Sequence, residues 1–300
     1  MSNIIAVDKG TAYTKTSKLI SIKSTIREYH PNELNFSQDK IIVEYLNKKY
    51  VIGENGRTNT NLFKSEQDET KLLVLTAIAI SNPNDRYLKK HLVTGLPIGR
   101  IGYERENMKK LFQYTSNKII VNNKPHTIDI GLTEIFPEGA SSFYHLQDAD
   151  EGLIIDIGGL SIDTALYTKG KKLTKYSTYR LGILPLYREI ANYIGSKYSL
   201  TIDEWLVHDI LTDGLSIDGV KVDLDISNIV NNYLRQIIQA LEFDYNIPSI
   251  QNIYLTGGGG IFLHPYIKKT IPRIQLMNNA RFTNVLTYQL LGEVLFNAKN

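Results

Sequence analysis

Two short segments of this sequence end an apolar run with a carboxylate followed closely by a glycine turn. The first is Ile4-Ile5-Ala6-Val7-Asp8-Lys9-Gly10, continued by Thr11, Ala12 and, one strand on, Lys15. The second is Leu153-Ile154-Ile155-Asp156-Ile157-Gly158-Gly159, continued by Leu160, Ser161 and Asp163. A tight strand–turn–strand with glycine at the bend presents backbone N–H groups to anionic oxygens without steric clash. Gly10-Thr11-Ala12 and Gly158-Gly159-Leu160-Ser161 fit that role. Asp8 and Asp156 are placed to hold the water shell of a Mg2+ ion bridging phosphates, and Lys15 can reach a β-phosphate. Either segment alone reads equally well as an ordinary Asp-Gly turn. Their recurrence in one chain favours a cradle for a nucleoside triphosphate.

Two further segments bear on the same chemistry. In Thr256-Gly257-Gly258-Gly259-Gly260-Ile261, glycines after an apolar strand let a flat ligand lie against the main chain. They also lead into a helix whose N-terminus favours a phosphate. Alone, the segment could equally be a flexible loop. In Ile135-Phe136-Pro137-Glu138-Gly139-Ala140-Ser141, Glu138 could polarise an attacking water, which is nearly all that phosphoryl transfer asks beyond positioning and charge neutralisation. Its residue chemistry alone favours a surface glutamate in a turn.

The elements that must position these residues are repeated. Each Asp-x-Gly strand is followed by a second strand-like run, Ala12–Lys18 and Ser161–Tyr167. Each also has a later partner, an apolar strand ending in Thr-Gly: His91-Leu92-Val93-Thr94-Gly95 and Ile253-Tyr254-Leu255-Thr256-Gly257. The common order implies an internal duplication with its boundary at the polar break Asp148–Gly152. Strands alternating with helices in both halves indicate two α/β domains, 1–150 and 151–300. Helices are expected over 70–80, 103–113, 227–245 and 281–297. The third carries an apolar stripe of Val230, Tyr233, Leu234, Ile237, Ile238 and Leu241, with Ser227 as its N-cap. Lys40–Gly53 reads as a hairpin turning near Asn47.

Composition removes several alternatives. The 300 residues contain no cysteine, which excludes disulfides, thiolate metal sites and cysteine nucleophiles. A net charge of +3, from 34 basic and 31 acidic residues, gives no footprint for direct nucleic-acid binding. The apolar run Leu72–Ile80 is far too short to span a bilayer, and no signal peptide is read at the start, so a cytoplasmic protein without a membrane partner is expected.

Asp8-Lys9-Gly10-Thr11, Asp156-Ile157-Gly158-Gly159-x-Ser161-x-Asp163 and Thr256-Gly257-Gly258-Gly259 resemble the phosphate-1, phosphate-2 and adenosine motifs of the actin, Hsp70 and sugar-kinase superfamily. Thr94-Gly95-Leu96-Pro97-Ile98, Phe136-Pro137-Glu138-Gly139, Gly182-Ile183 and Asn279-Ala280-Arg281-Phe282 are similar to the ParM-type plasmid-segregation actins. The resemblance covers nearly the whole chain. It implies an actin-like fold of two duplicated ribonuclease-H-like α/β domains, each with a smaller subdomain inserted, at about 30–62 and about 182–248, and a nucleotide cleft between them. It implies an ATPase, with GTP as the alternative nucleotide. Asp8 and Asp156 would hold Mg2+ through water, Glu138 would activate the hydrolytic water and Lys15 would contact phosphate. Gly10, Thr11, Ala12, Gly158, Gly159, Leu160, Ser161, Gly182, Gly257, Gly258 and Gly259 would surround the nucleotide, and Asp163 matches a motif position that could serve only to fix its hairpin. Base and ribose contacts would fall between Gly182 and Leu211. The implied partners are further copies of the chain, in polar filaments, and a ParR-type DNA-binding adaptor. A non-polymerising assembly ATPase and a small-molecule kinase share these motifs and are the alternatives.

Overall fold

The computed structural model describes residues 3–31, 40–54 and 63–297. The insertion expected at about 30–62 therefore lies partly outside the described residues.

The first half is built on a mixed sheet that follows from its apolar runs. In chain order its elements are β1 (Ile4–Lys9), β2 (Tyr13–Thr16), β3 (Ser21–Lys23), β4 (Ile26–Glu28), β5 (Ile41–Tyr45), β6 (Lys48–Ile52), α1 (Asp68–Ile80), β7 (Tyr87–Leu96), α2 (Ile101–Phe112), β8 (Thr115–Val121) and β9 (Lys124–Pro137). Among the described residues the strand order is β3-β2-β1-β7-β9-β8-β5-β6-β4. The hairpin expected over Lys40–Gly53 is β5–β6, with Leu46 and Asn47 at positive φ in its turn. It pairs through β5 with β8 and so extends the same sheet.

The second half contains β10 (Gly152–Ile157), β11 (Ile162–Thr168), β12 (Lys172–Tyr179), α3 (Ile183–Tyr198), α4 (Val207–Asp213), β13 (Leu215–Ile217), β14 (Val220–Val222), α5 (Ser227–Asp244), β15 (Ile253–Thr256), α6 (Gly258–Thr270), β16 (Ile274–Leu276) and α7 (Thr283–Asn297). Its main sheet runs β12-β11-β10-β15-β16. The repeat read in the sequence is a repeat of topology. β1 pairs antiparallel with β2 and parallel with β7, and β10 pairs in the same way with β11 and β15.

Both leading strands are buried along their whole length, and their alternating faces meet different partners. Ile5 and Val7 join the cluster under α1, whose residues from Leu72 to Ala79 are all buried. Ile4 and Ala6 join Val93 with Val285, Tyr288 and Phe296 of α7. The last helix thus belongs to the second half in sequence and packs on the first half's sheet. In β10, Leu153, Ile155 and Ile157 pack into the cluster formed with α3, α5 and α6. Ile154 faces the short turn of helix over Ala140–His145, where Phe143 stacks on Tyr167 of β11.

The expected helices are present with small shifts at their ends. In α5 the stripe Val230, Tyr233, Leu234, Ile237 and Leu241 is buried, with Ile238 at its margin. The cap is not Ser227. The Asp225 carboxylate accepts from the Ser227 amide at 2.9 Å, so the capping side chain comes two residues earlier.

Candidate nucleotide site

The two hairpins close with the same bond. The Gly10 amide donates to the Tyr13 carbonyl at 3.1 Å and the Gly158 amide to the Ser161 carbonyl at 2.9 Å. At their tips, the amides of Thr11, Ala12, Gly159 and Leu160 find no backbone acceptor among the described residues. The tips face one cleft of about 1150 Å3, counted out to its mouth.

Nearly all the residues singled out in the sequence line this cleft: Asp8, Gly10, Thr11, Ala12, Lys15, Glu138, Asp156, Gly158, Gly159, Leu160, Ser161, Gly257, Gly258 and Gly259. Gly182 does not. It lies behind the second hairpin, where an added Cβ would sit 2.4 Å from the Gly159 carbonyl oxygen. Its amide donates to the Leu160 carbonyl at 3.1 Å and its carbonyl accepts from the Tyr233 hydroxyl at 2.6 Å. The next two amides, Ile183 and Leu184 at the start of α3, donate to the carbonyls of Gly158 and Gly159. Gly182 therefore permits α3 to buttress the hairpin from behind.

The carboxylates are set by strand register. Asp8 lies opposite Lys15 across β1–β2, with the ammonium 3.4 Å from Oδ2. Asp156 lies opposite Asp163 and beside Thr256. Gly257, at φ 86°, brings the next loop against Asp156, and a Cβ there would meet Asp156 Oδ1 at 2.4 Å. Only glycine meets both demands. Glu138 follows β9, its amide held by the Leu96 carbonyl at 2.8 Å. Gly139, at φ 68°, then turns the chain between the Cβ atoms of Asp156 and Asp163.

The proton affinity of three of these acids, Glu138, Asp163 and Asp156, is raised. Burial is the largest cause at each. It pushes Glu138 up to about 7, with Asp8 and Asp156 adding to the push and the Lys64 ammonium opposing it. Burial, reinforced by Glu138, pushes Asp163 up to about 8 against a hydrogen bond from Thr178. Asp156 is raised as well, against a hydrogen bond from Asn284.

Several lining residues escaped the sequence reading. Lys64 comes from the turn before α1 and forms a buried ion pair with Glu138. Asn284, in the first turn of α7, donates to Asp156 and accepts from the Gly139 amide and the Ser142 hydroxyl. Ile183, Leu184, Tyr187, Trp205 and His208 line the far end, within the 182–211 stretch where base and ribose contacts were expected. There Tyr13, from the first hairpin, meets Trp205 edge to face at 6.4 Å. Behind the acids Tyr288 is fully buried, and its hydroxyl has no partner among the described residues.

Among the described residues no group of three or more acids or histidines is placed to hold a metal directly. Two separated carboxylates in a polar cleft suit a cation that keeps its water shell, which is how Mg2+ is commonly bound beside phosphates.

Residues 6–140 match the family of actin-like proteins, N-terminal domain. No curated protein sequence matches the chain. Among solved structures, an archaeal actin homolog, Ta0583, superposes with a TM-score of 0.82 at 15% identity, covering 97% of this chain and 99% of that one. The same homolog in complex with ADP gives 0.80 at 15% identity, over 97% and 99% of the two chains. A 15-stranded ParM filament from Clostridium botulinum gives 0.79 at 20% identity, over 98% and 100%. No helix among the described residues is long and apolar enough to cross a membrane. The chain has the actin-like fold over nearly its whole length, and the half that carries Asp8 and Glu138 matches the N-terminal domain of actin-like proteins.

Proposed function

We propose that this protein is a ParM-type, filament-forming ATPase that moves plasmid DNA through a ParR-type DNA-binding adaptor. The observation that supports this reading best is the pair of equivalent hairpins facing one cleft with Glu138 between them. The full-length likeness to a ParM filament favours the filament-forming branch of the fold.

In this reading the unpaired tip amides of both hairpins bind the phosphate oxygens, and Lys15 neutralises one of them. The base lies among Tyr187, Trp205 and His208, with the glycines of α6 under the adenosine. Asp8 and Asp156 would hold Mg2+ through water, and the ion would supply neutralisation of phosphate charge. Glu138 orients the attacking water and takes its proton as the oxygen bonds to the γ-phosphorus. The bond from that phosphorus to the bridging oxygen breaks, and its electron pair leaves with the diphosphate.

Sedimentation and light scattering of the full chain, with and without Mg-ATP, test the proposal alongside phosphate release. Nucleotide-dependent assembly followed by disassembly on hydrolysis is expected. A protein that binds ATP and stays monomeric at high concentration would point to the non-polymerising alternatives and overturn it.

A further inference from the structure

The sequence reading gave Lys64 no role, yet it is the cation most deeply set in the cleft. It is 5% exposed, lines the cavity and bonds through its ammonium to Glu138 Oε1. Its backbone is fixed on two sides. The Lys64 carbonyl accepts from the Thr70 hydroxyl at 2.7 Å, and the Ser65 amide and hydroxyl both donate to Glu104 of α2 at 3.0 Å. The turn is thus anchored to two helices, and the four-carbon side chain is the part free to choose its partner. A second buried lysine, Lys9, lies nearby but is bonded to Gln67 at 2.6 Å and does not line the cleft.

The pairing has a chemical consequence. A carboxylate bound to an ammonium is a poor acceptor for a water proton, so the group proposed as the base is occupied for as long as the pair holds. A buried ion pair does not open unless another anion replaces the one given up. The acids around Lys64 are otherwise committed: Asp8 to Lys15, Asp156 to Asn284 and Asp163 to Thr178. A terminal phosphate carries roughly two negative charges near neutral pH, against at most one on Glu138.

We propose that Lys64 is a γ-phosphate ligand that exchanges between two anions, pairing with Glu138 when no triphosphate is bound and with the terminal phosphate of a bound triphosphate. This rests on the reading of the cleft as a triphosphate site. Arrival of the γ-phosphate draws the ammonium away and releases Glu138 to take the water proton. A bound diphosphate places no anion at the γ position, so Lys64 returns to Glu138. One side chain thereby reports which nucleotide is bound and withholds the base until the substrate is complete.

The test is equilibrium binding of ADP and of a non-hydrolysable ATP analogue to the full-length protein, to Lys64→Met, to Glu138→Gln and to the double variant. Lys64→Met is expected to lose about tenfold or more in affinity for the analogue with little change for ADP. Glu138→Gln is expected to gain affinity for the analogue, because Lys64 no longer has to leave a carboxylate, and the gain should vanish in the double variant. Lys64→Arg keeps the charge and should keep the preference for triphosphate. Its loss in both Lys64→Arg and Lys64→Met would mean a damaged cleft and would overturn the exchange. So would a Glu138→Gln effect of the same size with and without Lys64. If the unsubstituted protein binds neither nucleotide, the cleft reading itself fails. If it binds both and Lys64→Met keeps its triphosphate preference, only the role of Lys64 fails.

Discussion

The Asn284 side chain donates to Asp156 Oδ2 at 2.7 Å, and its oxygen accepts from the Gly139 amide at 3.1 Å and the Ser142 hydroxyl at 2.8 Å. One amide at the start of α7 thus ties the acid of the second hairpin to the loop that carries Glu138. Asn284→Ala leaves a buried carboxylate without its donor and frees the loop. A stability loss of about 1–3 kcal/mol in denaturant unfolding is expected. Hydrolysis should fall by more than nucleotide affinity does, because the loop positions the base rather than the ligand. Equal losses in both would argue that Asn284 only supports binding.

Glu138→Ala should slow hydrolysis by about 100- to 10,000-fold, the range for a removed general base. Nucleotide-dependent assembly should persist, with filaments that outlast those of the unsubstituted protein. Phosphate release and light scattering on the same samples separate the two effects. An unchanged hydrolysis rate would remove Glu138 from the mechanism.

Gly182→Ala isolates a steric effect, since the residue's φ of −72° suits alanine. The added Cβ would meet backbone atoms of Gly159 and Leu160 at 2.4–2.5 Å. A loss of about 1–3 kcal/mol is expected, together with weaker nucleotide binding as the second hairpin shifts. Gly102→Ala in α2 is the control. Its Cβ meets nothing within 4 Å, and a gain of about 0.5 kcal/mol is expected from helix propensity. Thermal unfolding of the pair should show shifts of opposite sign.

The raised acids predict how the nucleotide-free protein responds to pH. Asp163 moves from 3.8 to about 8, so the folded state binds its proton more tightly than the unfolded chain. Its stabilisation is complete below the lower value and is lost as pH rises through the upper one. Glu138, raised to about 7, acts in the same direction. Lys9 is lowered from 10.5 to about 8, chiefly by burial and then by Lys64, so stability is regained as pH climbs between those values. Urea unfolding in EDTA should therefore show a minimum near pH 8. In Asp163→Asn the fall on the acid side should shrink while the alkaline rise remains; an unchanged fall would show that Asp163 is not its source.

The legibility of these features in the sequence follows from how local they are. The hairpins were readable because each is a contiguous strand, acid and glycine turn. The repeat was readable because β1–β2–β7 and β10–β11–β15 keep one order in the chain. Lys64 and Asn284 were not, since each reaches the cleft from a segment with no pattern of its own and meets a partner far away in sequence. The two Thr-Gly strand ends show the limit from the other side. They match as text, but their glycines answer different needs. Gly257 is required by its φ and by Asp156, whereas Gly95 leaves room for Tyr288, whose hydroxyl would sit 2.1 Å from a Cβ there. Gly182 was expected to surround the nucleotide and lies instead behind the second hairpin, against Gly159 and Leu160.

The position of α7 also sets the order in which the protein can be completed during its synthesis. Ile4, Ala6 and Val93 are made well before the side chains that cover them, Val285, Tyr288 and Phe296. At roughly 5–20 residues per second, that face of the first sheet waits on the order of tens of seconds for its cover. A nascent chain in this state presents an apolar strand pair to its neighbours. Completion of this face therefore waits for the synthesis of α7, and a product terminated before that helix would lack both the cover and the amide that holds Asp156.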